Sequence, residues 1–472
     1  MKHKSNGLVL VEDEKQWPQI LAVFIACLSI FSNGILYAWS SPFIVKITQD
    51  KDNYNITEDE ASYFTFIPAI SMMLTSFLFS KLCDVIGRKR TLLLCAIPHI
   101  ITWILKALAK DVYMFYIARL FSGMGDACGF SALPMYIGEI CSPKVRGRWG
   151  NALTFFLFLG QFVINVIGNF FSVKESCYIC ITIPVCFVIL FSFMPESPYF
   201  YIMKGRLEEA KESLRRLRGD KNVNEDFIKL KADVQRQISE SGTWKDLFTI
   251  NSNKKALLAG LFLRTSQLLG GMSVFTVYTQ YIFEKAGGNL SSGVSSMIYI
   301  GLCVVLNLIC MHTVDIFGRK KSYWVSLIFC SLVLFFEAIY FIIDQFYPEL
   351  DLSSLNWMPV AGMFLYIIFS SFGLAIIPTL MLGELFSASV KGKGLNLLSV
   401  AFALSQIAIT NVFYFLSSRV GFFSPFLFFG ICTTISSVIT VYIVPETKGK
   451  TLEEIQQLLK GNTSNNNNET KQ

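Results

Sequence analysis

The segment Asp84-Val-Ile-Gly-Arg-Lys-Arg90 returns later in the chain as Asp315-Ile-Phe-Gly-Arg-Lys-Lys321. Two further segments repeat in the same order: Gly138-Glu-Ile-Cys-Ser-Pro-Lys-Val-Arg-Gly147 as Gly383-Glu-Leu-Phe-Ser-Ala-Ser-Val-Lys-Gly392, and Pro195-Glu-Ser197 as Pro445-Glu-Thr447. The copies are separated by roughly 230–250 residues, and ordered repeats at such a spacing indicate two copies of one structural unit. The chain is therefore predicted to consist of two similar halves.

The composition indicates that much of the chain lies in lipid. Hydrophobic residues make up 53% of the 472 residues, and charged residues make up only 16%, whereas about 25% is typical of soluble proteins. The mean hydropathy is +0.49. A soluble protein of this composition would expose too much apolar surface to water. Soluble enzymes, disordered chains and disulfide-rich secreted domains are therefore excluded.

Twelve apolar segments are long enough to cross a bilayer as helices, which takes about 20 residues each. They lie at roughly 18–39, 63–81, 91–109, 112–138, 149–171, 177–195, 256–283, 294–314, 323–343, 357–383, 395–417 and 422–444. The repeated motifs follow the second, fourth and sixth segment of each half. The sequence thus predicts an all-α membrane protein of twelve transmembrane helices in two six-helix pseudo-repeats.

One long polar stretch separates the sixth and seventh segments. Within it, Leu207, Ala210, Leu214 and Leu217 recur at helical spacing among charged residues, which predicts short helices with one apolar face. The predicted organisation is an N-terminal segment 1–17, an N-terminal bundle 18–195, a linker 196–255, a C-terminal bundle 256–444 and a tail 445–472.

Basic residues are confined to alternate loops. One set of loops contains Arg88 to Arg90, then Lys144, Arg146 and Arg148, then Arg319 to Lys321, and finally Lys391 and Lys393. The other set is poor in Lys and Arg, and the loop with Asp344, Glu349 and Asp351 has neither. The positive-inside rule then predicts that both termini and the linker lie in the cytoplasm, and we expect a multi-pass protein of the plasma membrane. This distribution also explains the net charge of +7 without a nucleic-acid partner.

Two glycosylation acceptor motifs fall in loops on the predicted outer side. They are Asn55-Ile-Thr57 and Asn289-Leu-Ser291. We therefore expect the protein to be glycosylated at Asn55 and Asn289.

No metal or cofactor site is predicted. Most of the 12 Cys lie inside apolar segments, where a thiol behaves as a small hydrophobe, and the CxxC pair Cys177 and Cys180 has no second pair beside it. Gly449-Lys450-Thr451 resembles the end of a phosphate-binding loop, but Val444 occupies the position that such a loop needs as glycine. ATP-driven transport is therefore not predicted.

The repeated charges predict a gate on the cytoplasmic side. Each Asp-x-x-Gly-Arg motif forms a tight turn in which Gly permits the bend and Arg can reach carboxylates. Ion pairs between the halves that form and break would bias a rocking motion. The predicted gate residues are Asp84, Arg88, Arg119, Glu139, Arg146 and Glu196 in the first half and Asp315, Arg319, Glu384, Lys391 and Glu446 in the second. The alternative is that these charges only anchor loops and cap helices.

These motifs resemble the sugar porter branch of the major facilitator superfamily. The residues that carry the resemblance are Asp84 to Arg88, Arg119, Pro134 to Glu139, Arg146-Gly147, Pro195 to Pro198, Asp315 to Arg319 and Pro445 to Gly449. Trp39-Ser-Ser-Pro42 is similar to the insect trehalose and sugar transporter group. The resemblance implies a facilitator or proton-coupled sugar carrier that works by alternating access, not an enzyme. Its partners would be a small sugar and the lipid bilayer, with no oligomer required.

The pocket that the resemblance implies has lost several amides. The positions that match the family's substrate site are Asn33, Thr154, Gln161, Ser266, Gln267, Met272, Cys303, Ser371, Thr379 and Asn411. Gln267 keeps an amide, whereas Ser266 and Met272 each replace one. Ser371 replaces an acidic residue and Thr379 replaces a Trp. A wider pocket suits a disaccharide such as trehalose, with bridging water. The alternatives are a different substrate, weak sugar binding by a sensor, or drift in a protein that still carries an ordinary hexose.

Facilitated transport is the predicted mode. The first span contains no carboxylate, and Asn33 is its most polar residue. A proton symporter that uses Asp126 of the fourth span is the alternative, because ionisable groups in membranes often serve proton transfer. We expect Asp126 to form a buried ion pair with Arg119, two turns away on the same face. Glu337 is expected to face water or the outer headgroups, and His99 to be a packed, neutral imidazole.

Overall fold

The structure, a computed structural model, describes residues 16–142, 145, 149, 152–219, 223–239, 242–287, 290–350, 353–387, 390–448, 450 and 452–460. The first six membrane spans are Trp17–Ala38 with Ser40–Gln49, Glu58–Ile86, Arg88–Leu108, Val112–Ile140, Ala152–Phe170, and Val173–Cys180 with Thr182–Ser192. The second six are Asn251–Leu269 with Met272–Val277 and Thr279–Ala286, Ser292–Phe317, Arg319–Phe346, Met358–Ser371 with Ile377–Leu385, Lys391–Arg419, and Phe423–Ile443. The predicted all-α architecture of twelve spans is confirmed.

Nine of these spans are long and apolar enough to cross a membrane by themselves, within the described part of the chain. The other three are the fourth, the seventh and the tenth. The fourth is a single helix that contains Arg119 and Asp126, whereas the seventh and tenth are each broken into shorter helices. Polar residues and broken backbone are tolerated in a membrane only where protein or a water-filled path surrounds them. These three spans are therefore expected to face the interior.

Local sequence explains where several spans begin. Thr57 caps the second span by accepting a hydrogen bond from the Glu60 backbone N–H, and Glu60 returns the bond, a capping box. Between the second and third spans, Gly87 has φ = 106°, a conformation that L side chains rarely adopt. Gly318, with φ = 93°, makes the same turn between the eighth and ninth spans. Both glycines come from the repeated Asp-x-x-Gly-Arg motif.

The linker folds into the short helices Pro198–Met203, Leu207–Arg218, Asn224–Ser239 and Trp244–Thr249. As the spacing predicts, Ala210, Leu214 and Leu217 are buried along one face. The seventh span starts at Asn251, ahead of the predicted 256, because the polar residues Asn251 to Lys255 form its first turn. A last helix, Leu452–Lys460, packs beside the seventh and tenth spans. We call the end of the molecule that holds these helices the linker face, and the other end the far face.

Glycines allow the helices of the first half to pack closely. A Cβ on Gly34 in the first span would collide with the Leu157 carbonyl of the fifth, and a Cβ on Gly160 would collide with the Phe31 carbonyl. Small residues at such crossings let helix backbones approach in a membrane. The first and fifth spans therefore form a tight pair, and the halves meet along the first with the seventh, the second with the eleventh and the fifth with the eighth.

Candidate functional site

Three polar side chains form hydrogen bonds between the two halves, in the part of the molecule nearer the far face. The hydroxyls of Tyr37 in the first span and Ser273 in the seventh are hydrogen-bonded, and Ser273 Oγ donates to Gln406 Oε1 in the eleventh at 2.7 Å. Tyr37 also reaches Gln406 at 3.5 Å. Ser273 lies one residue beyond the predicted Met272, and none of these three residues was predicted as part of the site. We call them the far-side bridge.

Further hydrogen bonds between the halves lie still closer to the far face. They are Tyr414 to Asp59 at 2.7 Å, Gln49 to Glu284 at 2.6 Å, Ser296 to Asn165 at 2.7 Å and Thr65 with Tyr278 at 3.2 Å. Near the linker face, Asn396 donates to Ser80 at 3.4 Å. The close polar contacts between the halves are thus concentrated on the far side of the molecule.

Gln267 secures the break in the tenth span. Its amide Nε2 donates to the carbonyls of Leu374 and Ala375, each at 3.1 Å. These carbonyls lie between the two helices of the tenth span and have lost their helical partners. Backbone groups at membrane depth need such replacement partners. The Gln267 amide nitrogen therefore holds the broken backbone in place, while its amide oxygen remains able to accept hydrogen bonds from other groups.

Arg264 lies one turn from Gln267 and was missed by the sequence reasoning. Its Nη1 donates to Gln267 Oε1 at 3.1 Å and to Thr379 Oγ1 at 3.3 Å, and its guanidinium lies 5.0 Å from the centre of the Phe402 ring. It is the one charged residue in the apolar segment 256–283. A lone ionisable residue inside a span is itself a signal of function, so the sequence contained the means to find it.

The remaining predicted pocket residues do not join this group. Three are buried and hydrogen-bonded within their own half: Ser266 to Tyr323 at 2.7 Å, Ser371 to the Ile367 carbonyl at 2.7 Å and Asn33 to the Asp126 carbonyl at 3.4 Å. Asn411 is exposed and donates to the Ile407 carbonyl at 2.7 Å. Met272, Cys303 and Gln161 are buried and Thr154 is half-buried. The structure thus brings together Gln267 and Thr379, through Arg264. The roles of the other residues as substrate ligands stay predictions.

The predicted gate residues of the first half form a cluster at the linker face. Arg88 contacts Asp84 at 3.3 Å and Glu139 at 2.9 Å, so the second, third and fourth spans meet there. Ser197 Oγ donates to the other oxygen of Glu139. Glu196 accepts from the Lys89 backbone N–H at 2.9 Å and so caps the third span. These contacts all lie within the first half.

An aromatic pair covers the Arg88 guanidinium from the linker side. The guanidinium lies 5.8 Å from the centre of the Tyr199 ring and 5.6 Å from that of Phe200. Burial raises the pKa of Tyr199, so its phenol stays neutral beside the guanidinium. The rings exclude water and strengthen the Arg88–Glu139 pair.

The second half repeats this arrangement. Arg319 Nη2 contacts Glu384 at 3.3 Å, and Thr447 Oγ1 donates to the other Glu384 oxygen at 2.5 Å. Glu446 accepts from the backbone N–H groups of Arg319 at 3.0 Å and Lys320 at 3.1 Å. The three repeated motifs of each half therefore converge on one carboxylate–guanidinium cluster, which explains why they recur in the same order.

One predicted gate residue, Arg119, lies away from both clusters, and others lie outside the described structure. Arg119 is twenty residues from Glu139 along a continuous helix, roughly 30 Å away at the opposite end of the fourth span. Its guanidinium donates to the carbonyls of Phe64 and Leu36, each at 2.7 Å, so it ties the first and second spans together. Arg146 and the side chain of Asp315 lie outside the described residues, and the role of Lys391 stays a prediction.

The buried acids also differ from expectation. Arg119 and Asp126 do not form the expected ion pair, because Arg119 is occupied by backbone carbonyls; Asp126 Oδ1 instead lies 3.9 Å from His99 Nε2. His99 is buried and hydrogen-bonded through Nδ1 to Ser32 at 3.1 Å. Glu337 does not face water. It is 1% exposed and lies against Gly362 of the tenth span, where a Cβ would collide with its carboxyl group.

One of the predicted glycosylation sites can be located. Asn55 is exposed in the loop before the second span, on the far face, with φ = 42°. Asn289 lies outside the described residues.

Comparison with known proteins agrees with this architecture. The family described as "Sugar (and other) transporter" matches residues 19–459. The facilitated trehalose transporter Tret1 of Culex quinquefasciatus is 30% identical over 449 residues, which cover 94% of this chain and 86% of that protein. Trehalose transporter 1 of Drosophila melanogaster is 30% identical over 450 residues, but the chain spans only 52% of its length.

Solved structures show the same fold at low sequence identity. The inward open conformation of the xylose transporter XylE from E. coli has a TM-score of 0.76 at 18% identity, over 93% of this chain and 99% of that one. XylE bound to 6-bromo-6-deoxy-D-glucose gives a TM-score of 0.72 at 19% identity, over the same shares of the two chains. The chain therefore belongs to the sugar (and other) transporter family, and it is a membrane transporter rather than an enzyme.

Proposed function

We propose that this chain carries a sugar, trehalose or a hexose, down its gradient by alternating access through the path between the halves. The observation that carries the proposal is the asymmetry of the contacts. Tyr37, Ser273 and Gln406 join the halves on the far side, whereas the described Arg88 and Arg319 ion pairs each lie within one half. Two rigid halves joined at one side can rock about the path between them.

Trehalose is proposed because relatives that align over nearly the whole chain are facilitated trehalose transporters. Polar groups that a sugar hydroxyl can pair with line the path at Gln267 and Thr379, and both are already held in place by Arg264. A buried sugar hydroxyl needs such a partner. The transporter-like sensor remains an alternative, distinguished by the absence of uptake despite binding.

We also propose that the linker face is cytoplasmic and that the protein is in the plasma membrane. Lys and Arg gather in loops on the linker face, and the loops of the far face are poor in Lys and Arg, as the positive-inside rule describes. Glycosylation at Asn55 would follow, because that residue is exposed on the far face.

Proton-coupled symport is the second candidate function. Asp126 is 4% exposed, its Oδ1 has no hydrogen-bond partner, and His99 lies 3.9 Å away within the same half. A buried acid beside a histidine is a common element of proton relays. No proton path to either face is evident among the described residues, so facilitation is preferred.

Uptake in oocytes tests both functions. Labelled trehalose and glucose are supplied with and without an imposed proton gradient, and we expect saturable uptake of at least one sugar that the gradient does not change. Uptake of neither sugar, with protein present at the surface, would contradict sugar transport. Uptake that rises with external acidity and loses this rise in Asp126→Asn would establish symport. Glu337→Gln is the matched control, since Glu337 is equally buried but lies in the other half.

A further inference from the structure

Arg264 lies deep in the membrane without a carboxylate partner. It is eight residues beyond Ala256, the first residue of the apolar segment, roughly 12 Å along the helix axis into a hydrocarbon region about 30 Å thick. None of the salt bridges among described residues includes it. A cation at this depth is costly, so an Arg that serves only packing would be expected to have its donors occupied, as those of Arg119 are by the Phe64 and Leu36 carbonyls.

The guanidinium retains free donors. Both of its hydrogen bonds to side chains, to Gln267 and Thr379, use Nη1. Nε and Nη2 donate to no described residue and are not enclosed by protein. Thr379 is exposed and Arg264 half-buried, although both lie within membrane spans. The edge of the guanidinium that carries Nε and Nη2 therefore faces open space.

That open space is the path between the halves. Phe402, which packs on the guanidinium, lies one turn from Gln406 on the same face of the eleventh span. Gln406 belongs to the far-side bridge with Tyr37 of the other half. Arg264 itself is two to three turns closer to the linker face than Ser273. The cation thus sits directly on the linker side of the bridge, where a substrate held between the halves would rest.

We propose that Arg264 forms an anion subsite in this path, so that the chain carries sugar acids as well as neutral sugars. The planar Nε–Nη2 edge matches the two oxygens of a carboxylate, and Gln267 and Thr379 remain beside it to pair with hydroxyls. A neutral sugar would leave the charge uncompensated at membrane depth, whereas a sugar acid compensates it. This inference rests on the proposed function and adds anionic sugars to the neutral sugars proposed above.

The test compares a sugar acid with its neutral parent. Labelled glucuronate and glucose uptake are measured in oocytes for the unmodified chain, Arg264→Gln, Arg264→Lys and the control Lys254→Gln, which removes an exposed charge from the same span. Uptake is normalised to the amount of surface-biotinylated protein. We expect the unmodified chain and Lys254→Gln to prefer glucuronate. Under voltage clamp, glucuronate uptake should appear as a net movement of negative charge into the cell. Arg264→Gln should reduce the glucuronate-to-glucose ratio at least tenfold, and Arg264→Lys should reduce it less.

The inference is overturned if the unmodified chain prefers glucose and excess glucuronate does not compete with it. It is also overturned if Arg264→Gln lowers the uptake of both sugars by the same factor. In both cases sugar transport itself would stand. Uptake of neither sugar by the unmodified chain would overturn the proposed function together with the anion subsite. The competition measurement uses the unmodified chain alone, so it decides even if Arg264→Gln fails to reach the surface.

Discussion

The two halves of the molecule match at the linker face and differ in the middle of the membrane. At the linker face, Arg88 with Glu139 and Arg319 with Glu384 form equivalent pairs, and a hydroxyl from the next motif completes each. In the middle, the fourth span is one helix, whereas its counterpart, the tenth, is broken between Ser371 and Ile377. What the halves share supports the motion of two rigid bodies. What the second half adds at this depth, a broken tenth span held by the Gln267 amide beside the Arg264 guanidinium, is suited to substrate selection.

The largest expected effect is a difference between the Arg88–Glu139 and Arg319–Glu384 clusters in how much the loss of the arginine costs. The Arg88 side chain is 4% exposed and that of Arg319 is 13% exposed, and Arg88 also donates to the Cys83 carbonyl at 3.1 Å. Arg88→Ala leaves the largely buried Glu139 carboxylate without its cation and with only the Ser197 hydroxyl as a partner, which costs about 3–5 kcal/mol of unfolding free energy. We expect transport per surface molecule to fall more than tenfold. Arg319→Ala should cost about 1–3 kcal/mol, since Glu384 is more exposed.

Thermal unfolding of purified protein in detergent, together with uptake per surface molecule, measures both effects. Lys89→Ala is the control, because it removes a neighbouring charge that is not part of either carboxylate pair. If Arg319→Ala were as damaging as Arg88→Ala in both measurements, the clusters would be equivalent and burial would not decide their importance. If neither variant changed transport, the clusters would serve only as loop anchors.

The next effect concerns the turns that place these arginines. Gly87 and Gly318 have φ of 106° and 93°, and a non-glycine residue in such a conformation costs about 1–3 kcal/mol. A Cβ on Gly87 would also collide with Glu196, whereas on Gly318 it would lie 2.9 Å from Glu446. We expect Gly87→Ala to lower the unfolding midpoint more than Gly318→Ala does. Equal shifts would show that backbone strain alone, and not the capping carboxylate, sets the cost.

A smaller effect is expected from replacing a buried glutamine in the membrane-spanning part of each half. Gln267→Leu removes both donors to the Leu374 and Ala375 carbonyls and leaves them short of partners, a loss of about 1–3 kcal/mol. Gln161→Leu is the matched change in the first half, where the amide oxygen has no partner to lose. We expect Gln267→Leu to reduce uptake several-fold with surface protein retained, and Gln161→Leu to change it less. A larger loss for Gln161→Leu would place the substrate contacts in the first half.

Most of the fold and part of the site were readable in the sequence. The repeats around Asp84 and Asp315 predicted the two halves, and apolar segments predicted the spans, because both signals are local. The gate prediction failed at Arg119, since a motif gives the order of residues along the chain but not the end of the membrane at which they lie. The breaks at Gly271 and after Ser371 were not predicted, because a break needs a partner such as Gln267 from another span.

The smallest expected effect tests which face is outside. Asn55 is exposed at the far face, opposite the basic clusters. Asn55→Gln should therefore remove one glycan, visible as a mobility shift that deglycosylation abolishes, while uptake per surface molecule stays unchanged. Thr57→Ala also removes the acceptor motif, but it deletes the cap of the second span as well. It should therefore lower the unfolding free energy by about 0.5–2 kcal/mol. The difference between these two variants separates the glycan from the helix cap. A glycan on the unmodified chain that neither variant affects would mean that Asn55 is not the modified residue, and then the orientation would have to be established from the basic loops alone.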